Sequence, residues 1–144
     1  MARPFPRAPG RPTRRRPLAP GATARLRALC LALPGAVERP SHGEPTWFAG
    51  EKGRSFATLD DHHHGAAHLS VWLPLPLGAQ EALVAEDPSR YFRPPYVGGQ
   101  GWVGVVIDGG PDWARVEALL REAFVKVAPA RLRDALPRAG ARRR

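Results

Sequence analysis

Residues 91–107 read YFRPPYVGGQGWVGVVI, a segment rich in proline and glycine that runs into an apolar segment. Prolines at 94 and 95 fix the backbone angle φ, whereas glycines at 98, 99 and 101 allow positive φ. The aromatic and β-branched run from Trp102 to Ile107 is typical of a buried strand. One interpretation is a rigid surface loop from which Arg93, Tyr96 and Gln100 project. The other is a structural crossover in which Tyr96 and Trp102 pack in the core.

The secure helix of the chain follows this stretch. Asp112 can cap its N-terminus, and apolar side chains then recur at helical spacing as far as Val127. A weaker apolar stripe that includes Cys30 predicts a helix over 24–33, and Cys30 is expected to be a small buried hydrophobe. Shorter helices are predicted at 78–86 and at 130–136.

The strands upstream are marked by their turns. Two aromatic-rich runs, 46–49 and 54–59, flank a turn bounded by glycines, which predicts a hairpin, and residues 68–72 form a third strand. Residues 36–45 have no periodicity and are expected to be a loop. The element order leaves few places for a parallel crossover. It predicts an α+β fold, an antiparallel sheet of about four to five strands with helices packed on one face.

The basic charge is confined to the two ends of the chain. Residues 1–21 contain six arginines and six prolines without an acid, and residues 137–144 contain four arginines without an acid. Residues 22–136 carry 12 Lys+Arg and 13 Asp+Glu. The sequence therefore predicts one domain over 22–136 between a disordered N-terminal arm (residues 1–21) and a basic C-terminal arm (residues 137–144). Alternatively, such ends accumulate passively in a chain of this composition, or residues 1–20 precede the native start.

Several classes of protein are excluded by simple features. No apolar run approaches the roughly 18 residues of a membrane span, and no secretory signal is recognisable at the start. A single cysteine rules out an internal disulfide, which suits a reducing cytoplasm. We therefore expect a cytoplasmic protein that does not enter a membrane, and we favour a monomer.

Several segments together resemble the MmcQ/YjbR family. They are LPGAVE at 33–38, GEP at 43–45, FATL at 56–59, PPYVGGQGWV at 94–103 and VAPARL at 127–132. The resemblance covers about residues 24–136 and implies a CyaY-like α+β fold. Members are described as DNA-binding proteins, so the resemblance implies a role in binding DNA.

Binding to DNA would use the cationic arms and a few residues of the domain. We expect it to be weak and largely independent of base sequence, and removal of residues 1–21 and 138–144 is expected to abolish most of the affinity. The candidate residues are Arg14, Arg15, Arg16, Lys52, Arg54, Arg93, Tyr96, Gln100, Arg142, Arg143 and Arg144.

An alternative function is a protein–protein or small-ligand binding module. It would use an aromatic groove formed by Trp47, Trp72, Tyr96 and Trp102, together with the Pro-Pro-Tyr-Val-Gly-Gly loop. A third possibility is a domain without any binding site.

Catalytic and metal sites have little support in the sequence. No nucleophile elbow, phosphate-binding loop or dinucleotide fingerprint is present, so we expect a protein that is not an enzyme and has no cofactor. His62, His64 and His68 are weak metal candidates, because neighbouring side chains of an extended turn diverge. No dedicated metal site is expected.

Overall fold

A computed structural model describes residues 21–62 and 68–137, in which six strands form one sheet. The strands are β1 (Ala36–Ser41), β2 (Glu44–Ala49), β3 (Ser55–Asp61), β4 (Leu69–Pro74), β5 (Tyr91–Phe92) and β6 (Trp102–Val106). Their order across the sheet is β1-β2-β3-β4-β6-β5, and every neighbouring pair is antiparallel. The predicted α+β class and antiparallel sheet are confirmed, whereas the predicted number of strands was too low.

The helices are α1 (Ala22–Leu31), α2 (Ala79–Glu86), α3 (Trp113–Val127) and α4 (Ala130–Arg133). Helix α3 packs against β3 and β4, and α1 packs against β1 and α3. The predicted cap of α3 is confirmed, because the Asp112 carboxylate accepts hydrogen bonds from the backbone N–H groups of Ala114 and Arg115. Helix α4 is shorter than predicted and continues as tight turns to Leu136. Among the described residues, no helix combines the length and the apolar character needed to cross a membrane.

The expected loop over residues 36–45 is wrong, because it forms β1, the start of β2 and the turn between them. The sequence of β1 includes Arg39 and Pro40, which hide its strand character. Proline lacks an N–H group and is tolerated in β1 because this strand lies at the edge of the sheet. The loop that follows α2 also contributes a strand, the two-residue β5.

The strand register divides the side chains between two faces of the sheet. Leu59, Val71 and Val105 oppose one another across β3, β4 and β6, and all three are buried in the hydrophobic core. We call this the covered face, because α3 packs on it. Thr46, Thr58 and Trp72 form the neighbouring row across β2, β3 and β4. Side chains alternate along a strand, so this row points to the opposite side, which we call the open face.

The core on the covered face is aromatic at its centre. Phe56 and Phe124 meet edge to face, with ring centroids 5.3 Å apart, and Trp47 is fully buried. Cys30 is also fully buried, which confirms the expectation for this residue, and burial raises the pKa of its thiol. A thiol with a raised pKa holds little reactive thiolate, so Cys30 contributes packing.

Candidate functional site

A cavity of about 520 Å³ opens on the open face of the sheet. Strands β1 to β4 provide its floor, and the loop between β5 and β6 provides one wall. We call it the open-face cavity. It is lined by Ser41, His42, Glu44, Thr46, Ser55, Thr58, Leu59, Asp60, Trp72, Tyr96, Val97 and Trp102.

The floor of the open-face cavity is held by hydrogen bonds between side chains. The hydroxyl oxygens of Thr46 and Thr58 lie 3.3 Å apart on neighbouring strands. The indole N–H of Trp72 donates to the Ser70 hydroxyl oxygen at 3.1 Å, and Trp72 is 7% exposed. These bonds satisfy polar groups that would destabilise the fold if they were buried without a partner. They also fix the orientation of the Trp72 ring.

Two acidic residues belong to the lining of this cavity. Glu44 lies two residues before Thr46 on β2, and Asp60 lies two residues after Thr58 on the antiparallel β3. Because side chains alternate along a strand, both lie on the same face as Thr46 and Thr58. Glu44 is 7% exposed and Asp60 is 1% exposed. Among the described residues that line the cavity, none is a lysine or an arginine.

Two residues at the rim adopt an unusual backbone conformation. Tyr96 has φ +67° and His42 has φ +53°, and neither is a glycine. A left-handed conformation costs a non-glycine residue about 1–2 kcal/mol, and such residues cluster at functional sites. Tyr96 combines this backbone conformation with an exposure of 80%, and it lies beside the cavity.

A second cavity, of about 380 Å³, lies on another side of the β5–β6 loop. Arg93, Gln100 and Lys126 are among its lining residues, as are Gln80 and Glu81 of α2. We call it the Arg93 cavity. Its lining combines two cations, Arg93 and Lys126, with one acid, Glu81.

Gln80 organises the Arg93 cavity. Its amide Nε2 donates to the carbonyl oxygens of Gly98 and Trp102 at 2.8 and 2.7 Å, and its Oε1 accepts from the Arg93 guanidinium at 3.0 Å. Gly98 is required here, because an added Cβ would lie 2.6 Å from the Arg93 Cγ. The loop and the Arg93 side chain are thus held by one buried amide.

The structure brings the predicted residues together in two groups. Trp72, Tyr96 and Trp102 line the open-face cavity, and Arg93 and Gln100 line the Arg93 cavity. Trp47 is a correction to the expected groove, because its side chain points into the core on the covered face and lines neither cavity.

The remaining candidates lie elsewhere. Lys52 and Arg54 are exposed at the β2–β3 turn, beside Glu51. His62 contacts Asp61 at 2.6 Å, and His68 lies 3.3 Å from Asp108. Within residues 21–62 and 68–137, no group of three potential ligands could hold a metal ion. The candidates outside the described residues are Arg14, Arg15, Arg16, His64, Arg142, Arg143 and Arg144.

Sequence reasoning missed three polar residues that shape this part of the molecule. Glu44, Asp60 and Gln80 are not among the candidate site residues named from the sequence. The available signal was alternation, since Glu44 and Thr46 on β2 repeat the spacing of Thr58 and Asp60 on β3. Polar residues at every second position indicate one polar face of a strand.

Comparison with known proteins identifies relatives of this domain. The family model described as YjbR matches residues 31–125. Among solved structures, Deinococcus radiodurans protein DR2400, with the family-model domain DUF419, is similar with a TM-score of 0.59. It is 20% identical, and the match covers 79% of this chain and 80% of that one, so the likeness concerns the fold. No curated protein matches the chain.

Proposed function

This chain belongs to the YjbR family, and from that premise we propose that it binds nucleic acid with little sequence preference and without a catalytic step. The distribution of charge carries the proposal. Ten arginines without an acid lie in the two arms, whereas the 12 basic residues of the domain are balanced by 13 acids. Phosphates attract cations independently of base sequence, so the affinity should come mainly from the arms.

The domain would contribute a smaller, local contact at the Arg93 cavity. Arg93 and Lys126 supply two positive charges there, and Gln100 supplies an exposed amide. Because Gln80 already holds the Arg93 guanidinium, little side-chain entropy is lost when Arg93 meets a phosphate. Tyr96, on the same loop, could stack on an unpaired base, which supports binding to single strands.

The open-face cavity is unsuited to a phosphate. Its described lining includes two acids and no lysine or arginine, whereas the Arg93 cavity offers Arg93 and Lys126 to an anion. We therefore assign nucleic acid to the arms and the Arg93 cavity, and not to the open face.

The experiment measures the salt dependence of binding with the full chain. Fluorescently labelled duplex and single-stranded DNA of 20 nucleotides are titrated at about four salt concentrations between roughly 50 and 200 mM. The test variant has Gln in place of Arg14, Arg15 and Arg16. The matched control has Gln in place of three arginines of α3 and α4, namely Arg115, Arg121 and Arg131. Each phosphate contact contributes about 0.9 to the slope of log affinity against log salt for duplex DNA.

We expect the arm variant to lower this slope by about 2–3 and the control to change it by less than about 1. Equal slopes for the two variants would contradict the assignment to the arms. Arg93→Gln should reduce the slope by about 1 and weaken all sequences alike. The absence of measurable binding by the unmodified chain at about 50 mM salt would refute the proposed function itself.

A further inference from the structure

Two basic side chains of the Arg93 cavity are not engaged by acids. Arg93 follows β5, Lys126 lies in the last turn of α3, and both line the cavity. Within residues 21–62 and 68–137, neither Arg93 nor Lys126 forms an ion pair, whereas Arg27 and Arg115 both do. Cations that line one cavity add their fields and attract an anion into it.

The guanidinium group of Arg93 is held in place by the protein itself. Its Nη1 donates to the Gln80 Oε1 at 3.0 Å. The Gln80 side chain is fixed in turn, because its amide donates to two backbone carbonyl oxygens and the residue is 6% exposed. An arginine that is already positioned loses little side-chain entropy when it binds an anion.

Two glycines leave space along this arginine. A Cβ at Gly98 would lie 2.6 Å from the Arg93 Cγ, so glycine lets the stem of the side chain pass. A Cβ at Gly99 would lie 3.8 Å from the Arg93 Nη2, which is the nitrogen that does not donate to Gln80. Since Gly99 has no side chain, an oxygen atom of a ligand can approach Nη2 there.

The size of the Arg93 cavity fits a small ligand or the end of a longer one. Its volume of about 380 Å³ is near the lower limit of pockets that bind small molecules. Residues 75–81, the β5–β6 loop and the end of α3 all contribute to its lining. A phosphate inside a nucleic acid strand has a nucleoside on each side, whereas a terminal phosphate has only one. The cavity therefore favours a terminal phosphate.

The charges of the lining favour the same group. A phosphate monoester carries a charge of about −1.5 to −2 at pH 7, whereas each phosphate within a strand carries about −1. Arg93 and Lys126 together match the larger charge. Glu81 is the one acid among the described lining residues, and it reduces the attraction.

From these observations we propose that the Arg93 cavity binds a terminal phosphate group, that is, a phosphate monoester, of a nucleic acid strand or of a free nucleotide. For the strand, the proposal rests on the proposed function, because it names the part of the strand that this cavity takes. Arg93 would donate to the phosphate through Nη2, and Lys126 and the Gln100 amide would contact its other oxygens.

The test uses the full chain and one single-stranded DNA sequence with an internal fluorescent label. The strand carries a phosphate at the 5′ end, at the 3′ end or at neither end, and fluorescence anisotropy gives each affinity at about 50 mM salt. A further strand carries its terminal phosphate as the methyl ester, which is a diester with a smaller charge. Titrations with thymidine 5′-monophosphate and with thymidine distinguish a free nucleotide from a strand end.

We expect a terminally phosphorylated strand to bind about five to ten times more tightly than the unphosphorylated strand, because hydrogen bonds between charged groups are strong. The methyl ester should bind within about twofold of the unphosphorylated strand. Equal affinities for the phosphorylated and unphosphorylated strands would overturn the proposal and leave the proposed function intact. A methyl ester that binds as tightly as the monoester would also overturn it.

A failure of the proposed function gives a different result. If no strand binds at about 50 mM salt, the proposed function is refuted, and the nucleotide alone decides the present proposal. Binding of thymidine 5′-monophosphate at least about five times more tightly than thymidine would support a phosphate monoester site, and equal binding would refute it. These comparisons use the unmodified chain, so they do not depend on how any variant folds.

Variants then place the phosphate in the Arg93 cavity. Arg93→Gln and Lys126→Gln should each lower the preference for the phosphorylated strand to about twofold or less, since each removes one positive charge from the lining. Glu81→Gln should raise the preference by about twofold, because it removes the acid. Arg131→Gln, at an exposed position of α4, is the matched control and should leave the preference unchanged. Thermal unfolding confirms that each variant is folded. An unchanged preference in both Arg93→Gln and Lys126→Gln would refute this site.

The arginines of the arms also attract phosphates, and one further variant separates their contribution from that of the cavity. Replacement of Arg14, Arg15 and Arg16 by Gln should weaken the binding of phosphorylated and unphosphorylated strands alike, because the arm contacts phosphates anywhere along a strand. The ratio of the two affinities should therefore stay unchanged. Loss of this ratio would place the terminal phosphate at the N-terminal arm and overturn its assignment to the Arg93 cavity.

Discussion

The two faces of the sheet come from the same strands and serve different purposes. On the covered face, Trp47 and Phe56 are fully buried beneath the helices, and their packing stabilises the fold. On the open face, Thr46 and Trp72 are nearly as well buried, but they form the floor of a cavity that also contains two acids. Burial alone therefore does not separate core from site. The core and the site differ in the chemistry of their buried groups and in the space above those groups.

The first test compares one aromatic residue on each face and has the largest expected effect. Phe124→Ala, on the covered side, should lower the free energy of unfolding by about 3–5 kcal/mol, because it removes the edge contact with Phe56 and leaves a cavity. Phe48→Ala, on the open face, should cost about 1 kcal/mol, since Phe48 is half-buried and its ring faces the Arg39 guanidinium.

Urea unfolding followed by circular dichroism gives both values. Similar losses for Phe124→Ala and Phe48→Ala would show that the open face stabilises the fold as strongly as the covered face. In that case the distinction between the two faces would be wrong.

A second test concerns Glu38, which ties the edge of the covered face to α1. Its carboxylate accepts from the Arg27 guanidinium at 2.8 Å and from the indole N–H of Trp47 at 3.0 Å. Glu38→Ala leaves the buried indole N–H without this acceptor, and we expect a loss of about 2 kcal/mol by urea unfolding. Glu38→Gln retains an acceptor and should lose about half as much. Glu51→Ala is the exposed control and should change stability by less than about 0.5 kcal/mol.

Glu38 also affects how the free energy of unfolding depends on pH, and this effect is smaller. The hydrogen bond and charge of Arg27 lower the pKa of Glu38 below its usual value. A lowered pKa in the folded state stabilises the protein above the unfolded pKa of about 4.3, and this contribution is lost as the pH falls through the folded pKa. The stability difference between the unmodified chain and Glu38→Gln should therefore narrow below about pH 4. Parallel pH curves for the two proteins would contradict this role.

The sequence predicted the helices well and the faces of the strands less well. Helix α3 was predictable because its cap and its apolar stripe are both local features. Trp47 and Trp72 look alike in sequence, but one points into the core and the other into the cavity. Their faces depend on strand register, and a β-bulge between Trp47 and Phe48 shifts that register.

The acids of the candidate site were not predictable for a related reason. Glu44 and Asp60 are 16 positions apart, and they line the same cavity because the β2–β3 hairpin pairs Thr46 with Thr58. A pattern within one strand shows that a face is polar, but the pairing between strands decides which polar residues become neighbours. The aromatic wall was easier to predict, since Tyr96 lies in the β5–β6 loop and Trp102 begins β6 only six positions later.

The smallest expected effect concerns the turn between β1 and β2, which borders the open-face cavity. Ser41 pairs with Glu44, so His42 and Gly43 are the two turn residues, and both have positive φ, at +53° and +83°. Two-residue hairpin turns of this kind favour Asn-Gly, because Asn tolerates the left-handed conformation better than most residues. His42→Asn should therefore raise the free energy of unfolding by roughly 0.5 kcal/mol.

The neighbouring turn residue provides a control for this prediction. Gly43→Ala is the opposite control, since alanine at a φ of +83° is strained and should lower stability. A destabilised His42→Asn variant would show that the histidine side chain, and not the turn conformation, accounts for its presence on the open face.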